Sequence, residues 1–303
     1  MSIVNETREA PTAPSAPSPS PARRLSSVLD RKPKLRLGML LSLPLLWLGL
    51  VYVVAILAVL LTAFWSVDNM TGELHRSFTF DNVHAVLTEQ LYRSVTLRTL
   101  GIAIAVTAID VVIALPIAFY MGKIAAPRTR RWLVIAVLTP LWASYLVKAF
   151  AWLSLLSGKG LLSQVLGWTP GYGVTAVILT QAYIWLPFVI LPIYTGFERV
   201  PNSLLEASAD LGGKTGRTLR SVVLPMMVPA IVAGSLFSFS LTLGDYITVR
   251  LVGGTKQMLG TLIYTDVGAA NNLPLAAAVA IIPIVIMGIY LVVAKRTGAL
   301  DRL

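Results

Sequence analysis

The run Pro201-Asn202-Ser203-Leu204-Leu205-Glu206-Ala207-Ser208-Ala209-Asp210-Leu211-Gly212-Gly213-Lys214-Thr215 is a polar island between two long apolar segments, 174–197 and 226–249. Its internal spacing is Glu206-Ala207-Ser208, three residues, Gly212, nine residues, Val222, one residue, then Leu224-Pro225. Pro201 and Asn202 open a helix, and Leu204 and Leu205 give it an apolar face. Ser203 and Glu206 stand three apart, the spacing at which a serine caps a helix and a glutamate reaches back to a free backbone N–H. The small residues Ala207, Ser208 and Ala209 let a partner surface approach closely. After Asp210 and Leu211, Gly212 and Gly213 stop the helix and allow a left-handed turn. Thr215 is placed to cap a second short helix that runs to Leu224-Pro225. A short helix held crosswise to its neighbours transmits force if a partner grips it. Without a partner it is a capped surface helix, and Glu206 does no more than cap.

Composition decides the solvent. Of 303 residues, 56% are hydrophobic and only 13% charged, with a mean hydropathy of +0.75. Soluble domains carry about 25% charged residues, and a chain of this size cannot build a core large enough to hide so much apolar surface from water. Six apolar segments follow, at roughly 38–64, 95–121, 132–156, 174–197, 226–249 and 274–294. At ~1.5 Å per residue each spans a hydrocarbon layer of ~30 Å. Helices satisfy their own backbone groups in lipid, so the expected class is all-α with six transmembrane helices. Pro44, Pro116, Pro140, Pro187, Pro192, Pro229 and Pro283 lie in or near these spans and should kink them.

The first apolar segment runs to 27 residues, against about 7–15 for the apolar part of a secretory signal, and no small-residue cleavage site closes it. It reads as a retained helix. Before it, residues 1–36 are rich in Pro, Ser and Ala and carry seven basic residues. That composition predicts a disordered tail whose charges sit at anionic lipid headgroups.

The net charge of +11 raises the question of nucleic acid, but the basic residues cluster at the ends of apolar segments, where membrane lipids explain them. With the N-terminus inside, inner segments hold 18 Lys and Arg and outer loops hold 5. This predicts both termini, and the loop at about 198–224, on the cytoplasmic side. The chain has no Cys, and His75 and His84 fall in one polar loop. No metal site and no cofactor are therefore expected in this chain.

The loop spacing resembles the signature loop of permease subunits in binding-protein-dependent ABC importers, Glu-Ala-Ala, three residues, Gly, nine residues, Ile, one residue, Leu-Pro. Ser208 and Val222 are conservative departures from it. The resemblance implies the type I importer permease (MetI-like) fold over 37–303. It also implies a coupling role for Ser203, Glu206, Ala207, Ser208, Asp210, Leu211 and Gly212 against separate ATP-binding cassette ATPase subunits. A second permease subunit forming a heterodimer and an extracytoplasmic substrate-binding protein are implied too, with a place in the bacterial inner membrane. The stretches Leu243-Gly244-Asp245-Tyr246-Ile247-Thr248, Leu251-Val252-Gly253-Gly254, Leu259 to Tyr264 and Leu273 to Ala278 are similar to the spermidine/putrescine branch of that family.

Gly213-Lys214-Thr215 imitates the end of a phosphate-binding loop, but the required Gly five residues earlier is Ser208 and no strand precedes it. ATP hydrolysis is thus expected in another chain, and this one is not an enzyme. Charges inside spans are costly, and Asp110, Lys148 and Asp245 stand out. Asp245, Tyr246, Lys148, Trp152 and Trp185 are candidates for a substrate path, since carboxylates and aromatic faces suit a chain of ammonium groups. The competing reading is structural. It has Asp245 paired with Lys148, or Lys148 snorkelling outward, with Asp110 bonded to a neighbouring helix and Trp185 packed. Other expectations at the level of function are an ion-coupled secondary transporter using Asp110 and Asp245, or a permease for another small solute. An intramembrane enzyme lacks any catalytic constellation at depth.

Overall fold

The computed structural model of the chain describes residues 33–68 and 71–296. Most of the expected basic tail, 1–32, lies outside them. Its last four residues are helical, because the first helix, α1, already begins at Pro33 and runs Pro33–Thr62. The described residues form two compact units, divided between Ala58 and Val59. The first contains most of α1, and the second contains every element named below.

After α1 a short antiparallel hairpin pairs β1 (Ser66–Val67) with β2 (Leu74–His75). Asn82, on α2 (Asp81–Thr88), donates from its amide to the carbonyls of Ala63 and Trp65 and so holds the hairpin's base. Helix α3 (Gln90–Phe119) is extended by a wide π turn over Tyr120–Ile124. It is followed by α4 (Pro127–Trp142), α5 (Tyr145–Leu156) and α6 (Leu161–Leu166). Next come α7 (Val174–Arg199), the loop helices α8 (Asn202–Asp210) and α9 (Thr215–Thr218), and a second π turn at Leu219–Val223. The chain closes with α10 (Leu224–Gly244), α11 (Ile247–Val252), α12 (Leu259–Gly268) and α13 (Leu273–Arg296).

Among the described residues, six helical stretches are long and apolar enough to cross a membrane: Leu40–Thr62, Gln90–Ile124, Tyr145–Leu166, Val174–Arg199, Gly216–Gly244 and Leu273–Arg296. The number agrees with the sequence. The third differs in place. Hydropathy predicts a single helix over 132–156, but Ala143 and Ser144 are extended, with ψ of 137° and 141°, and separate α4 from α5. Pro140 already removes one donor near the end of α4, so the ladder there is weak enough to yield. Apolarity continues across the break, which is why composition hides it.

The heart of this unit is α3, α7 and α10. Two apolar clusters stack along them. Val106, Ile184, Trp185 and Val249 belong to one. Ala118, Met121, Ile193, Phe197 and Met227 belong to the other, at the end carrying the loop. The α7–α10 crossing is close because of glycine. A Cβ on Gly196 would lie 2.4 Å from the Cβ of Ala230, and one on Gly234 would lie 3.1 Å from the carbonyl oxygen of Val189. Lipid offers no hydrophobic drive between helices, so such close backbone packing is what holds them.

Candidate functional site: the loop between α7 and α10

The site is the 198–224 loop. Helix α8 begins two residues earlier than a cap at Ser203 implies, with Pro201 as its N-cap and no side-chain cap bond. The capping box expected of Ser203 and Glu206 is therefore absent. Proline offers no side-chain acceptor, and Ser203 already lies inside the helix. Glu206 is exposed. The first turn is held instead from outside: Lys123 Nζ donates to the Val200 carbonyl and, at 3.1 Å, to Asn202 Oδ1. A contact 79 residues away in the chain supplies this, so nothing within the loop's own residues signals it.

The helix end is local chemistry. Gly212 has φ +74°. Gly213 N–H donates to Ser208 O at 2.8 Å and Gly212 N–H to Ala209 O at 2.9 Å, the paired bonds of a Schellman stop. Gly213 is needed for a different reason, since a Cβ there would sit 2.6 Å from both Ser208 O and Ser208 Oγ. Ser208 Oγ and Thr218 Oγ1 lie 2.7 Å apart in a hydrogen bond. Alanine at 208 makes no such bond, so the departure from Glu-Ala-Ala ties α8 to α9. Thr215 is the first residue of α9; its side chain lies outside those described.

Between these fixed ends, Ala207, Ala209 and Asp210 are exposed, Leu204 is 39% exposed and Leu211 is 90% exposed. A groove lies beside them, lined by Leu204, Ala207, Leu211, Gly212, Arg217 and Val222 among others. Only Leu205 on this helix packs against the core beneath. The helix thus presents small residues and a bare leucine outward.

The candidate path residues separate. Asp245 is 7% exposed. Its Oδ1 accepts from the N–H groups of Ile247 (3.0 Å) and Thr248 (3.2 Å), and its Oδ2 accepts from Gln181 Nε2 at 2.9 Å. The carboxylate thus caps α11 and anchors it to α7. Lys148 is half-buried and makes no ion pair with a described residue, so the Lys148–Asp245 pair, one form of the structural reading, is not formed. Backbone and amide donors already occupy the carboxylate. Asp110 is fully buried and accepts from Ser238 Oγ, the interhelical bond expected of it. Trp185 packs in the core, stacked on Tyr145 at 5.7 Å. Trp152 lies 5.6 Å from Tyr183, which is 42% exposed. Tyr246 stacks on Tyr264 at 4.9 Å, and the Arg250 guanidinium covers Tyr264 at 4.4 Å. Sequence reasoning missed Gln181, Thr180 and Thr107, polar side chains buried in the spans beside these acids. Polar residues inside apolar helices were the available signal. Among the described residues no cluster suits a metal.

Comparison with known proteins identifies the family. Residues 23–298 match the family described as binding-protein-dependent transport system inner membrane component. The chain is 40% identical, over 94% of its length and 98% of the relative's, to the inner membrane ABC transporter permease protein YdcU of Escherichia coli (strain K12). It is 31% identical, over 84% of its length and 91% of the relative's, to the spermidine/putrescine transport system permease protein PotB of Salmonella typhimurium (strain SL1344). Among solved structures, a bacterial alginate ABC transporter in complex with an alginate pentasaccharide-bound periplasmic protein shares its fold. The TM-score is 0.63 at 16% identity, covering 90% of this chain and 96% of the other. The MetNI methionine ABC transporter gives 0.54 at 17% identity, covering 67% and 92%. Six apolar helices, a glycine-stopped helix between the fourth and fifth of them, and a family match over nearly the whole chain agree: this multi-pass inner-membrane protein belongs to the binding-protein-dependent transport system inner membrane components, the permease subunits of ABC importers.

Proposed function

We propose that this permease imports a polyamine-class cation, driven by ATPase subunits that seat on α8 from the cytoplasm. The observation that carries the docking role is the groove along α8, with Ala207 and Leu211 presented outward and both helix ends fixed. ATP binding would close the ATPases, draw the α8 helices of two permease chains together and open the path outward; hydrolysis would reset it. The count of 18 inner against 5 outer basic residues favours a cytoplasmic side for this loop and both termini. A second, non-identical permease chain is favoured by relatives named PotB and PotC. A binding protein would deliver solute from the other face.

The substrate class rests on the PotB likeness and on aromatic faces such as the Trp152–Tyr183 pair, which attract ammonium groups. One observation favours a second reading, a solute bearing an anionic group: Lys148 stands one turn before Trp152 on α5 with no acidic partner among the described residues. The deciding experiment measures uptake of labelled spermidine, putrescine and a dicarboxylate by proteoliposomes holding the assembled transporter and its binding protein. Saturable, ATP-dependent polyamine uptake supports the reading, and uptake confined to the anion rejects it. For docking, a cysteine at Leu211 should cross-link to the ATPase subunit, and failure at 207, 209 and 211 alike rejects α8 as the seat.

A further inference from the structure

Helix α8 is tied to the rest of the chain at its start by side chains that arrive from the corner between α3 and α4. Val200 follows the last turn of α7, where helix carbonyls have lost their intrahelical donors. Lys123 Nζ supplies one to Val200 O, and the same ammonium reaches Asn202 Oδ1 at the first residue of α8. A cation at the end of α7 also meets the negative pole of its dipole. A second tie lies beside the first. Glu198 Oε1 accepts from Tyr194 OH at 2.6 Å and from Arg130 Nη1, on α4, at 3.3 Å. Arg130 Nη2 lies 3.5 Å from Gly122 O, closing the set back onto the π turn. A third tie is steric. Gly122 sits against Phe197 so closely that a Cβ there would lie 2.8 Å from Phe197 Cβ. The π turn at Tyr120–Ile124 makes this possible, because its extra residue turns Gly122 inward while Lys123 reaches the loop.

We propose that Lys123 and the Arg130–Glu198–Tyr194 set form a positioning clasp that locks the start of α8 to the α3–α4 corner. A push on α8 then moves that corner and the end of α7 as one body. The proposal deepens the docking role given above and rests on it for the source of the push. Without the clasp α8 would be held by Pro201 at one end, by Leu205 alone against the core and by the Ser208–Thr218 bond at the other end, and α9 is a single turn. Force would be lost in bending the loop.

The test uses the chain, free of Cys, within its assembled transporter. Nitroxide labels at Arg128→Cys on α4 and Ala209→Cys on α8, both outside the clasp, report the distance between corner and helix. A narrow distance distribution is expected in the parent and a markedly broader one in Lys123→Met and in Arg130→Glu. The exchanged pair Arg130→Glu with Glu198→Arg should narrow it again, which a merely space-filling role would not do. In unlabelled preparations of the same variants, with Ala209 intact on the docking face, solute moved per ATP should fall by at least about fivefold, the lower end of a site-to-site coupling, while the ATPase still co-purifies and hydrolyses. An unchanged distribution in both single variants overturns the clasp. A broad distribution with an unchanged transport-to-ATP ratio overturns its part in transmission. If Lys123→Met fails to insert, the distances in Arg130→Glu and in the exchanged pair decide in its place. If the ATPase does not cross-link to α8 in the parent, the docking role fails separately, and the label distances alone judge the clasp.

Discussion

Gln181 Nε2 donates to Asp245 Oδ2 at 2.9 Å, joining the first third of α7 to the bend where α10 ends and α11 begins. The other carboxylate oxygen is taken by two backbone N–H groups of α11. A charge in a membrane span is expensive, and here three donors compensate it. Asp245→Asn should be tolerated, because Gln181 Oε1 has no partner and a flip of that amide lets it accept from the new Nδ2. Asp245→Ala strands the buried donors and should cost about 1–3 kcal/mol. Thermal unfolding of the purified protein compares the two. Equal losses would show that the hydrogen bonds do not set stability. If Asp245→Asn assembles normally yet abolishes uptake, the charge serves the solute as well as the fold.

Gly212 holds φ +74° with nothing within 4 Å of a would-be Cβ. A β-branched residue there meets no neighbour, so its whole cost is backbone strain of about 1–3 kcal/mol. Gly212→Val should insert normally but lose ATPase co-purification and transport. Gly212→Asn, which tolerates the left-handed region, should retain more of both. Full transport by Gly212→Val would show that coupling does not need the helix stop.

Ser208→Ala restores the family's own residue and deletes the bond to Thr218. Thr218 Oγ1 keeps a 3.4 Å approach to Lys214 O, so the loss should be modest, about 0.5–1.5 kcal/mol. Hydrogen exchange of residues 203–213 should rise in the variant. No change there would mean that α8 is held without α9.

Asp266, on α12 between the last two spans, is 8% exposed, and its Oδ2 has no hydrogen-bond partner. Burial pushes its carboxyl up from 3.8 to about 6. The folded state therefore holds the proton more tightly than the unfolded chain. The stabilising contribution is complete below 3.8 and fades as pH rises through about 6. Above that the protein carries an uncompensated buried charge. Asp266→Asn should raise the melting temperature at pH 7.5, and the gain should shrink as the pH is lowered below about 6. A gain independent of pH would contradict this origin.

The charge count by itself predicts the sidedness. Cysteines at His75 or Lys256, both exposed, should react with impermeant reagents from outside, and cysteines at Arg128 or Lys214 should not. Labelling of position 214 from outside would reverse the topology and remove α8 from the reach of a cytoplasmic ATPase.

Which features were legible in the sequence depended on how local their causes are. Hydropathy set the number of spans and the class of solvent, because a bilayer accepts little else over twenty residues. The glycine stop of α8 was legible too, since a left-handed residue needs only its own φ to be satisfied. Three things were decided by tertiary structure. The break at Ala143-Ser144 interrupts a run that stays apolar throughout. The start of α8 is held by Lys123 from the far side of two spans rather than by Ser203 and Glu206, because Pro201 took the cap position. Asp245 went to Gln181 and the backbone rather than to Lys148. Sequence spacing shows which polar groups must find partners; only the packing of α3, α7 and α10 determines which partner each one reaches, because a hydrogen bond is settled by tenths of an ångström between residues far apart in the chain.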